Sequence, residues 1–235
     1  MQTLNKKVSL NVADGSAMDA YIAAPEGAGK FPGILLLQEA FGITTHIRSV
    51  ANRIAEQGYV VIAPELFHRT APGMEFDQNN LPAVMPHVTA LKLEEQQADL
   101  HAACDWLQQQ DNVIHEKIGS IGFCMGGRVS FIANYSLPLN ASISYYGSGI
   151  QNFAYKFKDL HAPHLFIWGG LDKHILPEHI DAVVTAMKQN NKPYANLVFG
   201  YADHAFNNNE RPAYNAEASA EAWAISMAFF KNKLG

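Results

Sequence analysis

Residues 118–127 read Ile118-Gly119-Ser120-Ile121-Gly122-Phe123-Cys124-Met125-Gly126-Gly127, an apolar run that enters G-x-C-x-G and continues into a helical pattern. Strand, sharp turn and helix in that order form a nucleophile elbow, here with cysteine where serine is usual. In so tight a turn the residues two before and two after the nucleophile are expected to have no room for a Cβ, which accounts for Gly122 and Gly126. The turn puts Cys124 at a helix N-terminus, where free N–H groups and the positive end of the helix dipole favour a thiolate. It also offers the backbone N–H of Met125 as an oxyanion donor. G-x-C-x-G alone is equally compatible with a small buried cysteine in a glycine-rich turn; its place between strand and helix favours the chemical reading.

Working outward, apolar runs alternate with helical stretches, the one-dimensional image of a mostly parallel sheet with helices on both faces. Val8–Val12 and Met18–Ala23 flank Asp14-Gly15 and predict an N-terminal antiparallel hairpin of edge strands. Strands are expected at Gly33–Leu37, Tyr59–Ala63, Lys117–Gly122, Ala141–Tyr146, His164–Trp168 and Tyr194–Phe199. Helices are expected at Thr45–Gln57, Thr89–Gln110, after Cys124, at Pro177–Gln189 and at Ala213–Lys231. Residues 65–86, with Pro72, Gly73, Pro82 and Pro86, predict a long irregular excursion. No repeat or linker divides the chain, so residues 1–235 are expected to form one α/β domain.

In an elbow protein the acid and the histidine follow the nucleophile, each on a loop leaving the carboxyl end of a later strand. Gly169-Gly170-Leu171-Asp172 leaves the strand His164–Trp168, and Gly200-Tyr201-Ala202-Asp203-His204 leaves the strand Tyr194–Phe199. Asp172 and His204 therefore complete a candidate triad with Cys124, the histidine exchanging protons and the aspartate fixing its tautomer. Each residue taken singly also reads as an ordinary turn or surface-loop residue. Asp203 and His174 are the rivals for the acid and the base. The loop Gln38-Glu39-Ala40-Phe41-Gly42 follows the first buried strand, so the Ala40 N–H is the candidate second oxyanion donor. Glu39 there is a candidate proton-handling carboxylate, or else a solvated loop acid.

The rest of the composition narrows the partners. Of the 235 residues 48% are hydrophobic and 17% charged, and the net charge of −5 comes without a Lys/Arg run, which argues against nucleic acid and anionic membranes and for a small-molecule substrate. Met1–Leu10 lacks an apolar segment after its lysines, and no apolar run could span a bilayer, so a cytoplasmic protein is expected. Cys104 and Cys124 lie in unlike contexts and predict no disulfide, and Cys104, Trp106 and Leu107 share a helical face expected to be core. Metal-ligand spacing and dinucleotide or phosphate-binding glycine motifs are missing, so neither a metal nor a cofactor is expected.

Several separated blocks then stand in one order: 38–42, Gly58-Tyr-Val-Val-Ile-Ala-Pro-Glu-Leu66, 122–127, 169–172, His204-Ala205-Phe206, and the tail from Arg211-Pro212 to Trp223. Together they resemble the dienelactone hydrolase (carboxymethylenebutenolidase) family of the α/β-hydrolase fold. The resemblance implies a cofactor-free, cytoplasmic enzyme, generally monomeric with a weak dimer as the alternative. It implies Cys124, Asp172 and His204 as the triad, and Glu39 as the carboxylate that takes the proton of the resting cysteine. In bacterial members arginines before the long helix and after the catalytic histidine hold the substrate carboxylate. This sequence departs from that pattern: residues 77–87 contain no Arg or Lys, and His204 is followed by Ala205-Phe206-Asn207-Asn208. Phe41, Arg69, Phe206 and Arg211 are the substrate-contact candidates, and Arg128 is a further cation that could meet an anion. The expected reaction is hydrolysis of a small ester or lactone through a thioacyl intermediate. A broad carboxylesterase or thioesterase, or a catalytically silent binding protein, are the alternatives.

Overall fold

The structure, a computed structural model, describes residues 2–235, which divide into two compact units, the first ending at Gly119 and the second running Ser120–Gly235. The first unit holds β1 (Thr3–Asn11), β2 (Ala17–Pro25), β3 (Phe31–Leu37), α1 (Thr45–Glu56), β4 (Val60–Pro64), α2 (Leu81–Ala90), α3 (Leu93–Gln108) and most of β5 (Val113–Phe123). Its strands lie in the order β1-β2-β4-β3. Gly15, at φ 87°, turns the expected hairpin, with Val12 donating its N–H to the Ser16 carbonyl at 2.9 Å. Of the two hairpin strands only β1 lies at an edge, however, because β2 also pairs antiparallel with β4, from Ala20↔Pro64 to Ala23↔Val61. The reason is visible in the side chains: Ala20–Ala23 are all buried, whereas an edge strand would show one face to solvent.

β3 and β4 are parallel and almost wholly buried, as their unbroken apolar runs require. α1 turns Ile47, Val50, Ala51, Ile54 and Ala55 inward at three- and four-residue spacing and ends before Gly58 at φ 92°. Two expectations fail between β4 and β5. The excursion is not irregular throughout, since α2 begins at Leu81 with Pro82 in its first turn, where a missing N–H costs nothing, and Asn80 Oδ1 caps the Ala83 N–H. The single long helix is two, because Leu91 is extended (ψ 111°) and α3 starts afresh after Lys92.

The second unit contains the end of β5, α4 (Met125–Ser136), β6 (Ala141–Tyr145), a 3-10 segment (Ile150–Asp159), β7 (His164–Gly169), α5 (Pro177–Gln189), β8 (Tyr194–Phe199) and α6 (Ala216–Leu234). Its strands run in the order β5-β6-β7-β8, with β6, β7 and β8 mutually parallel. Buried serines clip β5, α4 and β6 together: Ser120 Oγ meets Ser130 Oγ at 2.8 Å and Ser142 Oγ at 3.0 Å. Among the described residues no helix is long and apolar enough to cross a membrane.

Candidate active site

Cys124 sits between β5 and α4 at φ 54°, ψ −118°, a conformation sparsely populated by residues with a Cβ. Its backbone is held on both sides, the N–H donating to the Tyr145 carbonyl at 3.0 Å and the carbonyl accepting from Gly127 at 2.9 Å. A Cβ on Gly122 would fall on the Gly126 carbonyl, as the elbow demands. Gly127 is needed as well: its Cβ would stand 2.7 Å from the Tyr145 carbonyl oxygen and 2.8 Å from Gly147 Cα. The turn thus packs backbone against backbone, and this leaves Cys124 partly exposed while Cys104 is buried.

The loops leaving β7 and β8 approach just as closely. A Cβ on Gly169 would lie 2.6 Å from the Ala202 carbonyl oxygen, and one on Gly170 would lie 2.7 Å from Gly200 Cα. Leu171 accordingly donates its N–H to the Ala202 carbonyl at 2.9 Å. That contact carries Asp172 to His204: Asp172 Oδ2 meets His204 Nδ1 at 2.6 Å, and Oδ1 accepts from the N–H groups of His174 (2.7 Å) and Ile175 (3.1 Å). The Cys124 side chain is close enough to His204 to act on the imidazole. The rivals fall into supporting places. Asp203 Oδ1 accepts the N–H of His204 at 2.7 Å, and the His174 ring stands edge-on to His204 with centroids 5.4 Å apart.

The charges follow from these contacts. Burial alone would depress the His204 pKa, but the neighbouring Cys124 and the hydrogen bond to Asp172 outweigh it and raise it to about 10. Burial would raise the Asp172 pKa, yet its bond to His204 and the two backbone donors keep it below the usual carboxylate value.

Three of the four non-glycine residues with positive φ among the described residues are Cys124, Tyr146 (φ 36°) and Ala205 (φ 63°). Backbone strain of this kind persists only where the surroundings enforce it, and it gathers at sites. Tyr146, which the sequence reading passed over, lies with its ring centroid 5.1 Å from that of His204. The available signal was its position at the carboxyl end of β6, where loops of parallel sheets carry function.

The remaining candidates fare differently. In the first unit, Glu39 is a buried carboxylate directly after β3, not a solvated loop acid. Its loop is tied down on either side: Gln38 Oε1 accepts the Leu66 N–H at 3.2 Å, and the Phe41 carbonyl accepts the Phe76 N–H at 2.9 Å. Ala40 and Phe41 are buried. The Arg69 guanidinium, a candidate substrate contact, is engaged by Asp99 (2.8 and 2.9 Å) and Asp14 (2.7 and 2.8 Å). In the second unit Phe206 is fully buried among Tyr145, Tyr146 and Phe199. Arg211 lies in a turn closed by the Arg211 N–H on the Asn208 carbonyl at 3.0 Å. Among the described residues no group of three or more His, Cys, Asp or Glu side chains could hold a metal ion.

The fold and the order of its loops define a hydrolase of the α/β-hydrolase class. A structure from Klebsiella pneumoniae assigned as a dienelactone hydrolase superimposes with TM-score 0.90 at 29% identity, covering 98% of this chain and 99% of that one. The chain belongs to the Dienelactone hydrolase family, which it matches over residues 18–234, and by family it acts on ester or lactone bonds. A Synechocystis sp. protein assigned as a carboxymethylenebutenolidase is 34% identical over 231 residues, 91% of each chain. A Yersinia pestis protein with the same assignment is 32% identical, over 93% of this chain and 85% of that one.

Proposed function

We propose that this chain hydrolyses a small ester or lactone by transferring its acyl group first to Cys124 and then to water. What supports the reading is the placement of one imidazole between Asp172 Oδ2, 2.6 Å from Nδ1, and the Cys124 side chain. The thiolate attacks the carbonyl carbon and the carbonyl electron pair moves to oxygen, where the Met125 N–H at the start of α4 is a donor. The oxyanion collapses, the carbon–oxygen bond to the alcohol breaks, and the His204 imidazolium gives its proton to the leaving oxygen. Neutral His204 then takes a proton from water as that water attacks the thioester, and release of the acid restores the thiolate–imidazolium pair. Asp172 holds the ring in the orientation both steps need. The second oxyanion donor, the Ala40 N–H, and the proton-handling role of Glu39 are assigned from their place in the chain after β3.

Cys124→Ala is the test. The variant should fold as the parent does and lose hydrolysis of activated esters and lactones, whereas retained turnover would falsify the reading. Iodoacetamide should label Cys124 well before Cys104, whose thiol burial and Asp105 push up to about 11.

A further inference from the structure

In the first unit the last turns of α3 stand over the outer strands of the sheet without filling the space beneath them. The register of β1 on β2 sets Leu4 opposite Ala24 and Lys6 opposite Ile22, so these four side chains share one face of the sheet. Together with Val60 at the start of β4 and Trp106 of α3 they bound a cavity of about 370 Å³. Small-molecule sites occupy roughly 300–1,000 Å³. The floor is open at its centre because Ala24, half-buried, contributes only a methyl group there.

Trp106 departs from the helical pattern that places it in the core with Cys104 and Leu107. Those two are buried, but the indole is only half-buried. Successive helical residues are about 100° apart, so Trp106 is turned away from the inward line of Leu107, and its ring reaches the edge strand β1. There Lys6 Nζ lies 5.8 Å from the ring centroid, the outer limit of a cation–π contact. The lysine is exposed, and a four-carbon stem lets its ammonium move from the ring to a guest while the methylenes stay on apolar surface. Among the described residues that line the cavity, Lys6 alone is charged.

We infer that this cavity binds a small planar aromatic anion, its ring against the Trp106 indole and its charge at the Lys6 ammonium. Each part of the ligand answers one observation. A flat apolar body suits a half-exposed indole above an aliphatic floor, where offset stacking adds to burial. A single negative charge suits a wall that carries one cation and no carboxylate. The site uses no residue of the candidate triad, and it stands whether or not Cys124 is a nucleophile.

Titration of the isotope-labelled full chain with 2-naphthalenesulfonate tests the inference, read by NMR on the indole N–H signals of the three tryptophans, with Trp106→Phe as the assignment control. The Trp106 signal should move saturably, with a Kd on the order of 1 mM or below. Trp168, whose Nε1 donates to Asn196 Oδ1 at 2.7 Å in the second unit, should stay in place. The neutral 2-naphthalenesulfonamide should bind roughly 2- to 5-fold more weakly, and Lys6→Gln, an exposed change that leaves the fold alone, should abolish that preference, as should salt at about 0.5 M. Ala24→Leu keeps both Lys6 and Trp106 but fills the floor, and should weaken the sulfonate at least about 10-fold. Cys124→Ala should bind it as the parent does. A Trp106 signal that stays fixed up to about 10 mM probe would overturn the proposal, as would equal affinity of the parent for the two probes. Loss of binding in Cys124→Ala, or full binding in a folded Ala24→Leu, would place the probe elsewhere and overturn it as well. So would a Trp106 signal that moves when the chain alone is diluted, because a second copy would then cover the cavity.

Discussion

His164, the first residue of β7, is completely buried, and its protonation should set much of the acid sensitivity of the fold. The ring stacks on Phe166 (centroids 4.1 Å apart, 16° between planes), and both nitrogens are used. Asn134 Nδ2, which can only donate, lies 3.1 Å from Nδ1, so Nδ1 is an acceptor and the proton sits on Nε2. Nε2–H then donates to Ser144 Oγ at 2.8 Å, and the Ser144 hydroxyl in turn donates a hydrogen bond to the Gly127 carbonyl at 2.6 Å. A chain of hydrogen bonds thus runs from β7 into the helix that carries the elbow. A second proton on this ring would face a donor with no counter-charge in reach, and burial pushes the pKa down to about 3 from 6.5.

The sign follows from linkage. Between roughly pH 6.5 and 3 the unfolded chain binds a proton at this residue and the folded chain does not, so stability is lost as pH falls, at about 1.4 kcal/mol per pH unit. At about pH 4.5 the cost is roughly 2.7 kcal/mol relative to pH above 7. His164→Phe keeps the stacking volume but strands one N–H of Asn134, which should cost about 1–3 kcal/mol at pH 7.5. The gap between variant and parent should therefore narrow by roughly 2.7 kcal/mol on going to pH 4.5, bringing the two level or reversing their order. Urea unfolding followed by tryptophan fluorescence at the two pH values measures it. A gap that stays constant between them would refute the reasoning, for it would mean that His164 binds its proton equally in both states.

Two further outcomes follow from other contacts. Asp172→Asn should leave folding intact but lower kcat by about 10²–10⁴, because an amide in place of the carboxylate misorients the His204 proton; steady-state kinetics on an activated ester checks this, and an unchanged kcat would remove Asp172 from the site. Asp99→Ala should destabilise the fold by about 3–5 kcal/mol in urea unfolding, because it leaves His68 (3.1 Å) and Arg69 (2.8 Å) without the buried carboxylate they share, and a loss below 1 kcal/mol would show that water replaces it.

What could be read from the chain divides by the range of the physics involved. The elbow was legible because a sharp strand-to-helix turn imposes its glycines locally, and Gly122 behaves as that argument requires. That Asp172 and His204 would meet was legible because parallel strands fix which loops leave from one end, and the two side chains do pair at 2.6 Å. The ion pair of Arg69 was not legible because its partner Asp99 lies thirty residues away, and no local pattern reveals that the two will meet. The Asn134–His164–Ser144 chain was invisible for the same reason, since each member reads alone as an ordinary strand or helix residue. α2 was missed because its prolines normally signal irregular chain, although one occupies the first turn, where the helix has no N–H to lose.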